Sequence, residues 1–129
     1  MIKVCCATAL IALLGSMENT MAQTAATITV TLNNYAFSPS ELDLKSGTTY
    51  RMHFVNAGSK AHSFSAPEFF AASQVADEDQ AKAVKGLVEL ENGQSVDITI
   101  TPGRAGTFSF ECTHFMHKMM GMHGTIVVQ

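Results

Sequence analysis

Residues 112–123 read Cys-Thr-His-Phe-Met-His-Lys-Met-Met-Gly-Met-His, which places one thiol, three imidazoles and four thioethers in twelve positions. Background usage does not produce such a density of soft donors. A thiolate, neutral imidazoles and a weak thioether together suit copper, which accepts sulfur in both oxidation states and is favoured over other first-row metals at such sites. Zinc fits less well, because structural zinc sites collect four strong cysteine or histidine ligands and gain little from thioethers. The segment can deliver three donors by itself: Cys112, an imidazole and a methionine. A fourth must come from elsewhere in the chain, and His62 is the natural candidate.

The other donors leave alternatives open. His114 lies two positions after Cys112 and competes with His117 for a place in the site. Met116, Met119 and Met120 read first as apolar residues of the core or its rim, since methionine fills irregular gaps. Their other reading, together with His114 and His123, is a soft surface that takes up or hands over Cu(I). Cys112 with His117 also matches the start of a cysteine-dependent enzyme, but no third orienting group or oxyanion arrangement accompanies them, and an enzyme is not expected.

These donors need rigid elements to hold them. Ile28, Val30 and Leu32 alternate with Thr27, Thr29 and Thr31, the period-two pattern of a half-buried strand. Leu42 and Leu44 continue the pattern. Tyr50, Met52 and Phe54 share one face of a further strand, with Arg51, His53 and Val55 on the other, so His53 is expected to face solvent. Val96, Ile98 and Ile100 follow, then Phe108, Phe110 and Cys112 on one face, and Thr125 to Val128 closes the chain as a β-branched run. With turn signals at Ser46-Gly47, Asn56-Ala57-Gly58, Asn92-Gly93 and Pro102-Gly103, the spacing predicts an all-β fold, a small antiparallel Greek-key β-sandwich. The segment Pro67 to Gly86 breaks the alternation with alanines and an Asp77-Glu78-Asp79 run, and reads as a short helical insertion covering one end of the sandwich.

The chain has 129 residues, 47% hydrophobic and 15% charged, with a net charge of −3. One packed domain is expected, and no basic cluster exists to neutralise several phosphates, which argues against nucleic acid as a partner. Lys3 followed by the apolar run Val4 to Gly15 reads as a secretory signal, too short to span a bilayer. Residues 1–22 are therefore taken as a signal peptide and 23–129 as one copper-binding domain. The protein is expected to be periplasmic or secreted, with no stable membrane insertion after leader removal. Cleavage there removes Cys5 and Cys6 and leaves Cys112 as the single thiol. An unpaired thiol in an oxidising compartment needs protection by burial or by a metal.

Ala61-His62-Ser63-Phe64, followed by Cys112-x4-His117-x4-Met122-x-Gly124-Thr-Ile-Val-Val128, resembles the cupredoxins, the blue copper proteins. Tyr35-Ala36-Phe37-Ser38-Pro39 is similar to the usual opening of that family. The loop spacing most resembles rusticyanin and plantacyanin. The resemblance implies His62, Cys112 and His117 as equatorial ligands and Met122 as the axial ligand of one type 1 copper. It implies a one-electron carrier cycling Cu(II)/Cu(I) with a redox partner protein. The alternative is a copper-binding protein for tolerance, storage or delivery, working with a copper donor or acceptor. Ser63 stands where many cupredoxins carry an asparagine that constrains the cysteine.

Overall fold

Alternation of apolar and polar side chains drives ten strands into two sheets. The computed structural model describes residues 24–129, and the expected leader, residues 1–22, lies outside them. In chain order the strands are β1 (Ala26–Asn33), β2 (Ala36–Ser38), β3 (Glu41–Leu44), β4 (Tyr50–Asn56), β5 (His62–Ser65), β6 (Ser73–Val75), β7 (Leu87–Leu90), β8 (Ser95–Pro102), β9 (Gly106–Glu111) and β10 (His123–Val128). One sheet runs β2-β1-β4-β8-β6 and the other β3-β10-β9-β5-β7. Val30, Leu32, Met52, Phe54, Ile98 and Ile100 of the first sheet are fully buried, as the period-two pattern requires. They pack against Leu42, Phe64, Val88, Leu90, Phe110 and Ile126 of the second, giving the all-β sandwich expected from the sequence.

One expectation is corrected and two gain detail. The sheets are not purely antiparallel: β1 pairs parallel with β4, and β10 parallel with β3. Local alternation reports which face a residue takes but not the direction of its neighbouring strand. The segment Pro67 to Gly86 carries the expected short helical insertion, with an edge strand inside it. It forms α1 (Pro67–Ala71), then the edge strand β6 against β8, then a 3-10 turn over Asp77–Lys82. Pro67 starts α1 where its missing N–H costs nothing, and Phe69 and Phe70 anchor it in the core. His53 lies on the outward face as expected, and it is paired there. Its Nδ1 lies 2.5 Å from Asp97 on the neighbouring β8, and Arg51 holds the same carboxylate at 2.8 Å. The His53 bond lowers the Asp97 carboxyl, burial opposes that, and Arg51 adds to the lowering.

Two strands matter most for the site. Phe64 lies two residues after His62 on β5, and Phe110 two residues before Cys112 at the end of β9. Residues two apart share a face of a strand. Stacking of Phe64 on Phe110, with centroids 4.7 Å apart and planes at 28°, therefore sets the two donor residues side by side. Phe37 meets Phe110 edge-on at 5.0 Å. Such aromatic pairs contribute about 0.5–1.5 kcal/mol each beyond their burial and make a stiff floor.

Candidate metal centre

His62 opens β5 and is fully buried, Cys112 follows β9 and is 1% exposed, and Met122 precedes β10 and is fully buried. His117, in the connection between β9 and β10, is half-buried. The connection is folded as a series of tight turns. The His117 N–H donates to His114 O at 3.1 Å, the Met122 N–H donates to His117 O at 3.1 Å, and the Cys112 N–H donates to Met122 O at 3.0 Å. Gly121 takes the left-handed φ of 105° that lets the chain turn back after Met120. Met122 is thereby returned to the side of Cys112 although nine residues separate them.

Three donor atoms converge. Nδ1 of His62 lies 3.2 Å from Nδ1 of His117, and Cys112 Sγ lies 3.4 Å from His117 Nδ1 and 4.0 Å from His62 Nδ1. The circle through atoms with those three separations has a radius of about 2.1 Å, within the ~2.0–2.3 Å that imidazole nitrogen and thiolate sulfur keep from zinc, copper's first-row neighbour. A first-row ion therefore fits the triangle without rearrangement. The donor set decides which ion: two imidazoles, one thiolate and a buried thioether beside them match the blue-copper pattern and not a structural zinc site.

Burial, then the neighbouring charges of His117 and His114, pull the His62 imidazole below its ordinary pKa. Burial, then His114 and Lys60, do the same to His117. Both rings are thus held neutral at neutral pH, with a lone pair free for a metal.

The surrounding shell is equally specific. The Asn34 amide nitrogen donates to Ser59 Oγ at 2.7 Å, which leaves its Oδ1 facing His62 Nε2 at 2.7 Å. Oδ1 can only accept, so Nε2 carries the proton and Nδ1 is left unprotonated toward the cluster. Gly58 makes room for this pair: a Cβ there would stand 2.5 Å from Asn34 Oδ1 and 2.9 Å from His62 Nε2. The buried Asn56 side chain shapes the same loop, donating to Lys60 O and Leu90 O and accepting from the Gly58 N–H. Ser63 takes up the constraining role expected of an asparagine. Its N–H lies 3.4 Å from Cys112 Sγ and its hydroxyl 3.8 Å, and the same hydroxyl accepts the Thr113 N–H at 2.8 Å.

The four residues singled out from the sequence are thus brought together, and His114 is not among them. Its Nε2 is turned away to Glu89 Oε1. Met116, Met119 and Met120 do not pack in the core; they are 50%, 83% and 54% exposed, beside Phe115 at 89%. Asn34 was missed by sequence reasoning, as was the use made of Tyr35, whose ring meets the His117 ring edge-on at 4.8 Å.

The family model for cupredoxin-like domains matches residues 6–128. The chain belongs to the cupredoxin family. As in other cupredoxins, His62, Cys112, His117 and Met122 are arranged as a type 1 copper site. Among solved structures, this cupredoxin is similar to an auracyanin from the photosynthetic bacterium Roseiflexus castenholzii. That match has 20% identity and a TM-score of 0.59, and covers 83% of this chain and 99% of that one. Auracyanin A of Chloroflexus aurantiacus, described as a blue copper protein, matches at 23% identity, 82% and 100% coverage, and TM-score 0.58. A multicopper oxidase from Campylobacter jejuni matches at 10% identity and TM-score 0.63, over 82% of this chain but 30% of that one. At these identities the likeness is one of fold. Comparison with curated proteins returns no match. No helix among the described residues is long and apolar enough to cross a membrane.

Proposed function

We propose that this cupredoxin is an exported one-electron carrier in which His62, Cys112 and His117 are the equatorial ligands and Met122 the axial ligand of a single copper. The observation that carries the reading is the convergence of three donors with a fourth, fully buried, thioether residue beside them. A catalytic metal generally keeps a coordination position for its reactant, and four protein donors leave none. A surface hollow of about 720 Å³, lined by residues such as Lys82, Val84, Leu87 and Thr113, touches none of the four.

Bound copper supplies a Cu(II)/Cu(I) couple at this site. The protein's part is to keep the donors still while the charge changes. His62 is fixed by Asn34, Cys112 by Ser63 and the Phe110 floor, and the His117 ring by Tyr35. The Ser63 N–H aimed at Cys112 Sγ stabilises the thiolate. His117 is the one partly exposed residue of the four, next to the exposed Phe115 and Met116, which makes it the donor nearest a docking partner and the short route for the electron. Export rests on Lys3 and the apolar run after it, and on Cys112, the one thiol among the described residues, which a metal would protect.

A second reading, copper tolerance, storage or delivery, is favoured by one observation: three thioether side chains of the same loop are exposed. Thioethers are soft donors that suit Cu(I). Titration of the leaderless protein separates the two. The carrier reading predicts one tight copper per chain with fast reversible redox cycling. Additional Cu(I) held by the wild type and lost when Met116, Met119 and Met120 are replaced by leucine would favour handling.

A further inference from the structure

His62 and His117 present the same ring nitrogen to the cluster but are held in different ways. The far nitrogen of His62 is locked to Asn34, whereas the hydrogen-bonding contacts of the His117 ring run through Nδ1 alone, to Cys112 Sγ and His62 Nδ1. What steadies His117 is two other rings. Tyr35 meets it at 4.8 Å and 60°, and His114 lies parallel to it at 5.5 Å and 19°. The stacking follows from the backbone turn that sends the His117 N–H to His114 O. His114 is itself clamped, because its Nε2 is bound to Glu89 Oε1. Glu89 belongs to β7 and pairs with Ser63, the residue after His62, so the clamp is anchored in the sheet that carries the site. Lys118 Nζ to Glu111 Oε2, at 2.5 Å, ties the same loop to the end of β9.

We propose that His114, held by Glu89, is a positioning residue for His117. Its ring blocks rotation of the neighbouring imidazole and so fixes the tilt at which His117 meets the copper and the ease with which it lets go. The inference rests on the copper reading above. His114 takes no metal in this role, since its far nitrogen is engaged by Glu89 and its ring lies outside the converging triad. An offset-parallel ring resists rotation through its face, so another aromatic can replace it, whereas an aliphatic cannot.

The test uses purified, copper-loaded protein and four variants: His114→Ala, His114→Phe, Glu89→Ala and Glu89→Gln. His114 is a partly exposed surface residue, 31% accessible at its side chain, so these chains are expected to fold. Two signals are read: the thiolate-to-copper absorption band with its Cu(II) paramagnetic resonance pattern, and the rate of copper loss to a Cu(I) chelator. Outer-shell partners of metal ligands are worth roughly 10- to 100-fold. His114→Ala is expected to shift the band and release Cu(I) about tenfold faster, at the low end of that range, because Tyr35 remains. His114→Phe should restore most of both signals, and Glu89→Gln should stay nearer wild type than Glu89→Ala. Unchanged band and release in His114→Ala, or a phenylalanine variant as impaired as the alanine one, overturns the proposal while the copper reading stands. A wild-type protein with no thiolate-to-copper band overturns both.

Discussion

Replacing Asn34 with alanine probes how the protein chooses the form of His62 that can bind metal. The His62 side chain is fully buried and its Nε2 proton is given to Asn34 Oδ1 at 2.7 Å. Without that acceptor, an N–H is left unpaired, at about 1–3 kcal/mol. The ring also gains a competing tautomer, with the proton on Nδ1 and directed at His117 Nδ1, 3.2 Å away, which cannot ligate. Since about 1.4 kcal/mol is a factor of ten in affinity, the bare penalty corresponds to a loss of roughly 5- to 150-fold. Asn34 is exposed, so solvent enters the gap left by alanine and recovers part of the bond. The expected loss is therefore near the lower end, about tenfold, in line with second-shell effects on metal sites. Competition for Cu(II) against a chelator of known affinity measures it. Asn34→Asp supplies the control, because a charge-assisted bond is about twice as strong and raises the basicity of the ligand. That variant should bind Cu(II) at least as tightly as wild type and show a lower reduction potential. The reasoning is refuted if Asn34→Ala binds within about twofold of wild type, or if the aspartate is as weak as the alanine.

Three further outcomes follow from the same geometry. Gly58→Ala pushes a methyl against Asn34 Oδ1 and His62 Nε2, so it should weaken copper binding through the same bond; its effect and that of Asn34→Ala should sum to less than additive in a double-mutant cycle. Asp79 is 6% exposed and accepts from Lys82 Nζ and the Thr99 N–H. Burial pushes its carboxyl up, but the Lys82 and Thr99 bonds outweigh burial and hold it below the ordinary carboxylate range. Its stabilisation is thus present above the unfolded value near pH ~4 and lost as pH falls through the lower folded value. Asp79→Ala should lower stability at pH 7 by about 1–3 kcal/mol, with the gap from wild type closing in acid, as read from urea midpoints at both pH values. Met116→Lys, at a half-exposed position of the apolar rim, should slow electron exchange with a protein partner while leaving the copper spectrum unchanged; a changed spectrum would show instead that Met116 supports the site.

Much of this was legible in residue types and spacing. Cys112, His117 and Met122 stand in one short segment, and the Phe108, Phe110, Cys112 alternation already turned the thiol inward. His62 was legible as the one remaining histidine beside an apolar strand start. The strand faces were legible for the same reason: β4 buries Tyr50, Met52 and Phe54 as its alternation requires. Pairings between distant segments were not. Asn34 precedes its partner His62 by 28 positions, and no local period connects a turn asparagine to a buried imidazole. β6 has three residues, too few to display a period within an alanine-rich stretch, and only its pairing with β8 defines it. His114 carries the same side chain as a ligand, and only the position of Glu89 on β7 reveals that its Nε2 is turned away from the donors.

The most direct test of the account is the visible absorption of the leaderless protein after addition of one equivalent of Cu(II). An intense thiolate-to-copper band should form, bleach reversibly on one-electron reduction, and be lost in Cys112→Ser. A protein that stays colourless and metal-free, or a band that survives removal of the thiol, would contradict the assignment of the centre.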